Sequence, residues 1–101
     1  GEKVLLFGYR IIMNKRMVLI IYDISDNKTR TKFVKFIEHY GYRVQKSAFE
    51  AFLDSSKYKK MIKKIPRIIK SSDNVRVYML EGEGKYWGEN RRDIKEDIII
   101  L

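Results

Sequence analysis

Asp23 closes the apolar run Met17-Val18-Leu19-Ile20-Ile21-Tyr22 and opens the turn Ile24-Ser25-Asp26. A carboxylate at the C-terminal tip of a strand built from such a run is costly unless it faces solvent, a cation or a hydrogen-bond donor. Arg30 follows seven residues later, and the polar-to-apolar stretch Gln45-Lys46-Ser47-Ala48-Phe49-Glu50 lies further on. In a chain of 22 basic and 13 acidic residues, net charge +9, an acid so placed reads first as chemistry on a polyanion, with nucleic acid ahead of an anionic membrane. A hard divalent cation such as Mg²⁺ takes oxygen ligands and keeps several waters, so one or two carboxylates suffice to hold it. A metal held there could activate water for attack on phosphorus. The residue pattern also fits plainer uses of Asp23: accepting from the amides of the next helix, or pairing with Arg30. Asp26 reads as a helix cap, not a ligand.

The other candidates are cations. Arg30 falls in the first turns of a helix, a poor place for positive charge against the helix dipole, which points to a phosphate or Asp23 as its partner. Arg43 and Lys46 are candidates for phosphate contact, with surface solubility as the plain alternative. Residues 55–72 hold Lys57, Lys59, Lys60, Lys63, Lys64, Arg67 and Lys70 and no acid. Phosphate contacts need charge but no sequence code, so Lys57, Lys60 and Lys64 are the best placed to track a backbone. Phe49 reads as core or dimer packing rather than as a base-stacking platform.

Several classes fall away. With no cysteine and a single histidine, His39, neither a disulfide framework nor a Cys/His metal or nucleophile site is available. Gly82-x-Gly84 is too short and misplaced for a nucleotide loop. The apolar runs are too short to span a bilayer, and no signal-peptide cleavage site follows Val4-Leu5-Leu6-Phe7, so the chain reads as cytoplasmic.

The elements that must position these residues are legible in outline. Residues 17–22 form a nearly continuous apolar strand of the kind covered on both faces. Asp26 caps a helix carrying Phe33, Phe36, Ile37 and Tyr40 on one stripe, with Gly41 as its stop. Residues 42–53 are extended, with a tight hairpin or a bulge at Gln45-Lys46-Ser47. Asp54 caps a second helix with Tyr58, Met61, Ile62, Ile65 and Ile69 inward, and Pro66 should kink or end it near Ile65. Val75, Val77 and Met79 alternate with Arg76, Tyr78 and Leu80 as a half-buried strand. Residues 81–92 read as a flexible connection, in which Trp87 serves an interface or packs on its own loop. A β-rich run at 97–101 is expected to add to a sheet, its own or that of a second subunit. Residues 1–16 look like an N-terminal extension, either an expression-derived addition or an extra strand over 3–13, and residues 17–101 like one domain.

This order is βαββαβ plus a terminal strand: an α+β, ferredoxin-like sandwich. Two helices cover one sheet face only. The apolar first strand therefore predicts a covered second face, and in so short a chain the economical cover is a second copy, giving a homodimer through sheet faces.

The segments from Val18 to Asp26 with Arg30, from Gly41 to Glu50, and Asn74-Val75-Arg76-Val77-Tyr78 resemble the small CRISPR-associated endoribonuclease family, the second core subunit of the adaptation machinery. The resemblance spans most of residues 17–80. It implies that Asp23 is the metal-coordinating and catalytic acid, facing its symmetry mate across a homodimer, with Mg²⁺ or Mn²⁺ as cofactor. Ser25, Arg30, Arg43 and Phe49 would support it, and the dimer would bridge two dimers of the integrase that inserts new spacers into a CRISPR array. A basic position two residues beyond Arg30 is Lys32 here, which keeps the charge but loses the planar fork. The implied activity is metal-dependent cleavage of single-stranded RNA or double-stranded DNA. The alternatives are a non-catalytic DNA-binding scaffold and a toxin ribonuclease of related fold.

Overall fold

The computed structural model describes residues 15–82 and 84–88. The expected extension over 1–14 and the terminal strand at 97–101 lie outside the described residues. The elements are β1 (Arg16–Asp23), α1 (Asn27–Ile37), β2 (Gly41–Gln45), β3 (Ala48–Leu53), α2 (Ser55–Ile68) and β4 (Asn74–Leu80). The strands form one antiparallel sheet in the order β2-β3-β1-β4, the ferredoxin-like arrangement expected from the element order.

Alternation along β1 decides which side chains meet the helices. Val18, Ile20 and Tyr22 are buried, and so is Ile24 just beyond the strand. They pack with Phe33 and Ile37 of α1, Phe49, Ala51 and Leu53 of β3, and Met61 and Ile65 of α2. The opposite face carries Met17, Leu19 and Ile21, opposed by Phe52, Glu50 and Ala48 on β3 and by Leu80, Tyr78 and Arg76 on β4. Directly opposed residues share a face, so apolar side chains dominate a surface that no described segment covers. Ile21, Tyr78 and Leu80 are 38–44% exposed there.

Both helices begin as their caps predict. Asp26 accepts from the Thr29 amide at 2.9 Å and hydroxyl at 2.8 Å, and Asp54 from the Lys57 amide at 2.8 Å. Each satisfies an amide with no partner inside its helix.

Three expectations are refined. α1 ends at Ile37 instead of running to Gly41; residues 38–40 tighten, with the His39 amide donating to Phe36 (3.2 Å) and that of Tyr40 to Ile37 (2.8 Å). Gly41 is not in the left-handed conformation of a helix stop. It is glycine because β2 lies so close to β3 that a Cβ would strike the Glu50 carbonyl oxygen and come within 2.8 Å of Ala51 Cα. The hairpin and the bulge, weighed as alternatives, both occur: Lys46-Ser47 makes the turn, and the register shifts between Arg43 and Gln45.

Of the two outcomes expected at Pro66, an end to α2 near Ile65 does not occur. The helix continues to Ile68, and the Ile69 amide still donates to Ile65 at 3.3 Å. Buried Ile65 and half-buried Ile68 and Ile69 hold the last turn against the core. That packing outweighs the one hydrogen bond, to Ile62, that proline cannot donate.

Candidate functional site

β1 delivers Asp23 to the edge of a cleft of about 610 Å³. One wall is the β1–α1 turn, with Ile24, Ser25 and Arg30. A second is the outer side of α1, where Thr31, Val34, Lys35 and Glu38 follow one another at helical spacing. The third is the β2–β3 hairpin, with Arg43, Lys46 and Ser47. Four cations thus surround two carboxylates, leaving a net positive cavity beside the strand tip.

Asp23 is exposed and continues the open-face series of Met17, Leu19 and Ile21. Among the described residues its carboxylate has no hydrogen-bond or ion-pair partner. Neither plain use of this acid is realised. Asp26 does the capping, and its carboxyl is held below the usual carboxylate range, first by the Thr29 amide and then by the Thr29 hydroxyl, with Lys70 at 3.6 Å assisting. Arg30 turns instead to backbone: its Nη1 donates to the carbonyls of Ile24 (3.0 Å) and Ser25 (3.3 Å), and Nη2 to Asn27 Oδ1. A guanidinium in a first helical turn is thereby satisfied by the loop leading into its own helix.

The hairpin wall is tied to β1 by Tyr22, which is 3% exposed. Its amide donates to the Ser47 carbonyl at 3.0 Å and its hydroxyl to the Lys46 carbonyl at 3.1 Å. Arg43 Nη2 donates to the same hydroxyl at 3.4 Å. The Arg43 guanidinium also lies 5.6 Å from the centroid of the buried Phe49 ring, a cation–π distance. Phe49 is therefore core, and a seat for Arg43.

The structure brings Asp23, Ser25, Arg30, Arg43 and Lys46 to one cleft, with Phe49 beneath. It does not bring Lys32 there; that residue lines a separate shallow hollow with Asn27, Lys28, Thr31 and Lys35. Lys57, Lys60 and Lys64 are exposed along α2. His39 sits exposed just past α1, its Nδ1 against the Lys35 carbonyl at 2.8 Å. Trp87 is 83% exposed, so it does not pack on its loop. Tyr22, Lys35 and Glu38 were not singled out from sequence. The spacing 31, 34, 35, 38 carried the α1 wall; nothing local carried the Tyr22 contacts, which reach 21 and 24 residues along the chain.

No group of three His, Cys, Asp or Glu side chains among the described residues converges as a metal site. What the strand tip offers is the unpaired Asp23 carboxylate, the hard oxygen donor that Mg²⁺ or Mn²⁺ accepts alongside water. Two such chains would offer two.

An antiparallel four-stranded sheet backed by two helices, its first strand tipped by an acid beside a basic cleft, defines the class: a ferredoxin-like α+β protein. The chain belongs to the CRISPR associated protein Cas2 family, which it matches over residues 16–86. It is 38% identical over 91 residues, 88% of its own length and 80% of the relative's, to the CRISPR-associated endoribonuclease Cas2 of Mycobacterium tuberculosis. Among solved structures, the hypothetical protein TT1823 from Thermus thermophilus superposes with a TM-score of 0.68 at 32% identity, covering 74% of this chain and 93% of that one. A chain of a partial Cas6-RT-Cas1–Cas2 complex does so at 0.57 and 35%, covering 65% and 79%. No helix among the described residues is long and apolar enough to cross a membrane.

Proposed function

We propose that this chain acts in CRISPR adaptation as a homodimeric, metal-dependent endonuclease subunit that works with the CRISPR integrase during spacer acquisition. The observation carrying this reading is the unpaired Asp23 carboxylate at the lip of a cleft rich in cations. Relatives named endoribonuclease, and a structural relative within a Cas1–Cas2 assembly, support it.

In the proposed dimer the open sheet faces pack together, and two copies of Asp23 hold Mg²⁺ or Mn²⁺ between them. When bound, that ion supplies activation of water and neutralisation of charge on the phosphate. The chain's own residues do the rest. Arg30 fixes the Ile24–Ser25 carbonyls and so the turn behind Asp23. Arg43 and Lys46 take the phosphate from the hairpin side, where Arg43 still has donors unspent. Lys57, Lys60 and Lys64, with Lys32 of α1, contact the nucleic-acid backbone beyond the cleft.

Asp23→Ala should abolish Mg²⁺-dependent cleavage of RNA or DNA while leaving the dimer intact and nucleic-acid binding largely unchanged. Equal cleavage by the two proteins would trace the activity to a contaminant and leave a non-catalytic scaffold between integrase dimers. One observation favours that second reading: among the described residues no three metal-ligating side chains converge. Spacer integration by the partner integrase separates the two, since a scaffold lacking Asp23 would still support it in full.

A further inference from the structure

Tyr22 makes more contacts with the hairpin than packing requires. Its ring is already held by Phe33, 5.1 Å between centroids, and Phe49 at 6.2 Å. A phenylalanine would satisfy that core, and a buried hydroxyl is costly unless bonded. Here the hydroxyl is bonded twice, donating to the Lys46 carbonyl and accepting from Arg43. Both partners belong to the cationic wall of the cleft, and Tyr22 is the residue immediately before Asp23.

We infer that Tyr22 is a positioning residue: through its hydroxyl it fixes Arg43 and the Lys46 turn relative to Asp23, so that phosphate meets preset cations. This rests on the nucleic-acid reading of the cleft. Arg43 has three other restraints to lose or keep: its strand, the Phe49 face and its charge. The Tyr22 hydroxyl adds direction, because it engages one N–H of the fork on a side chain that is otherwise exposed. Without it the guanidinium keeps its charge and its aromatic seat but gains torsional freedom, which binding must then freeze. On the other wall Arg30 spends both terminal nitrogens on the chain's own oxygen atoms. The two arginines therefore differ in kind: Arg30 shapes the site, and Arg43 is shaped by it.

The test uses Tyr22→Phe, Arg43→Ala and the double variant in the whole chain, with a fluorescent oligonucleotide titrated at several salt concentrations. Tyr22→Phe should retain the fold and weaken binding by about three- to tenfold, the cost of freezing one long side chain on binding. The slope of log affinity against log salt should stay that of the unaltered chain in Tyr22→Phe, where Arg43 still makes its contact, and shallow by about one in Arg43→Ala, where that contact is lost. The double variant should bind no more weakly than Arg43→Ala alone, because the hydroxyl acts through that side chain. Wild-type affinity in Tyr22→Phe, or losses that add in the double variant, would overturn the inference while leaving the cleft as a binding site. Salt-independent or absent binding by the unaltered protein would overturn the nucleic-acid reading and the inference together. A melting temperature lowered in Tyr22→Phe with oligonucleotide affinity unchanged would reduce Tyr22 to a purely structural residue.

Discussion

Arg30 and Asp26 sit four residues apart and hold the same turn by opposite means. Arg30 binds the carbonyls that precede α1, and Asp26 binds the amide that begins it. Replacing Arg30 by Ala should cost about 1–2 kcal/mol of stability in chemical denaturation, since two carbonyls lose a charged donor. Arg30→Lys should recover little of it, because an ammonium cannot span two carbonyls and Asn27 as the fork does. An unchanged midpoint in Arg30→Ala would show the turn to be held by Asp26 alone. For Asp26 the sign follows from its depressed carboxyl. A group whose folded pKa lies below its unfolded value adds stability above the unfolded value, and loses it as pH falls through the folded one. Asp26→Asn keeps the cap but not the charge, so it should melt below wild type at neutral pH, the gap closing under acid conditions beneath the usual carboxylate range. A gap of constant size across that range would mean that the charge contributes nothing.

At the scale of elements, Gly41 is the position where strand pairing is most exposed to a single atom. Gly41→Ala should destabilise by about 2 kcal/mol or more, because the new methyl meets backbone of β3 that cannot step aside without breaking its ladder. A variant as stable as wild type would show that β2, an edge strand, shifts freely. Such close approach leaves no periodic trace, which is why Gly41 reads from sequence as a helix stop. Read as a helix stop, Pro66 misleads for a related reason: its local penalty is plain in the chain, whereas the grip of Ile65, Ile68 and Ile69 on the core emerges only after folding. What was legible were patterns with a fixed period or a fixed offset. The apolar run of β1, the alternation of β4 and the acids three residues ahead of the amides they cap all belong here. The strand-tip acid was legible as well, because an aspartate ending such a run is conspicuous on cost alone. Its surroundings were less so: the α1 wall could be read from helical spacing, but the Tyr22–Arg43–Lys46 junction is made by residues distant in the chain.

The whole molecule poses one question that its parts do not answer: why the sheet face opposite the helices is apolar. Met17, Leu19, Ile21, Phe52, Tyr78 and Leu80 form rows across three strands, interrupted by Glu50 on β3 and by Arg76 on the edge strand β4. A patch of that kind on a strongly basic chain marks an interface, and Asp23 stands at the end of one row. The interface and the acid are thus not independent features, for whatever covers Ile21 comes within reach of Asp23. Burying a new carboxylate at the centre of such a contact is prohibitive without a partner. The dimer proposed above therefore predicts that the unaltered chain sediments as a dimer and Ile21→Glu as a monomer at the same concentration. If two Asp23 side chains share the ion, the same variant should lose Mg²⁺-dependent cleavage even though its own Asp23 is untouched. Its salt-dependent oligonucleotide binding should persist in weakened form, because the cleft with Arg43 and Lys46 lies within one chain. A dimer that survives Ile21→Glu would move the interface off this face, and a monomer that still cleaves would confine the metal site to a single protomer.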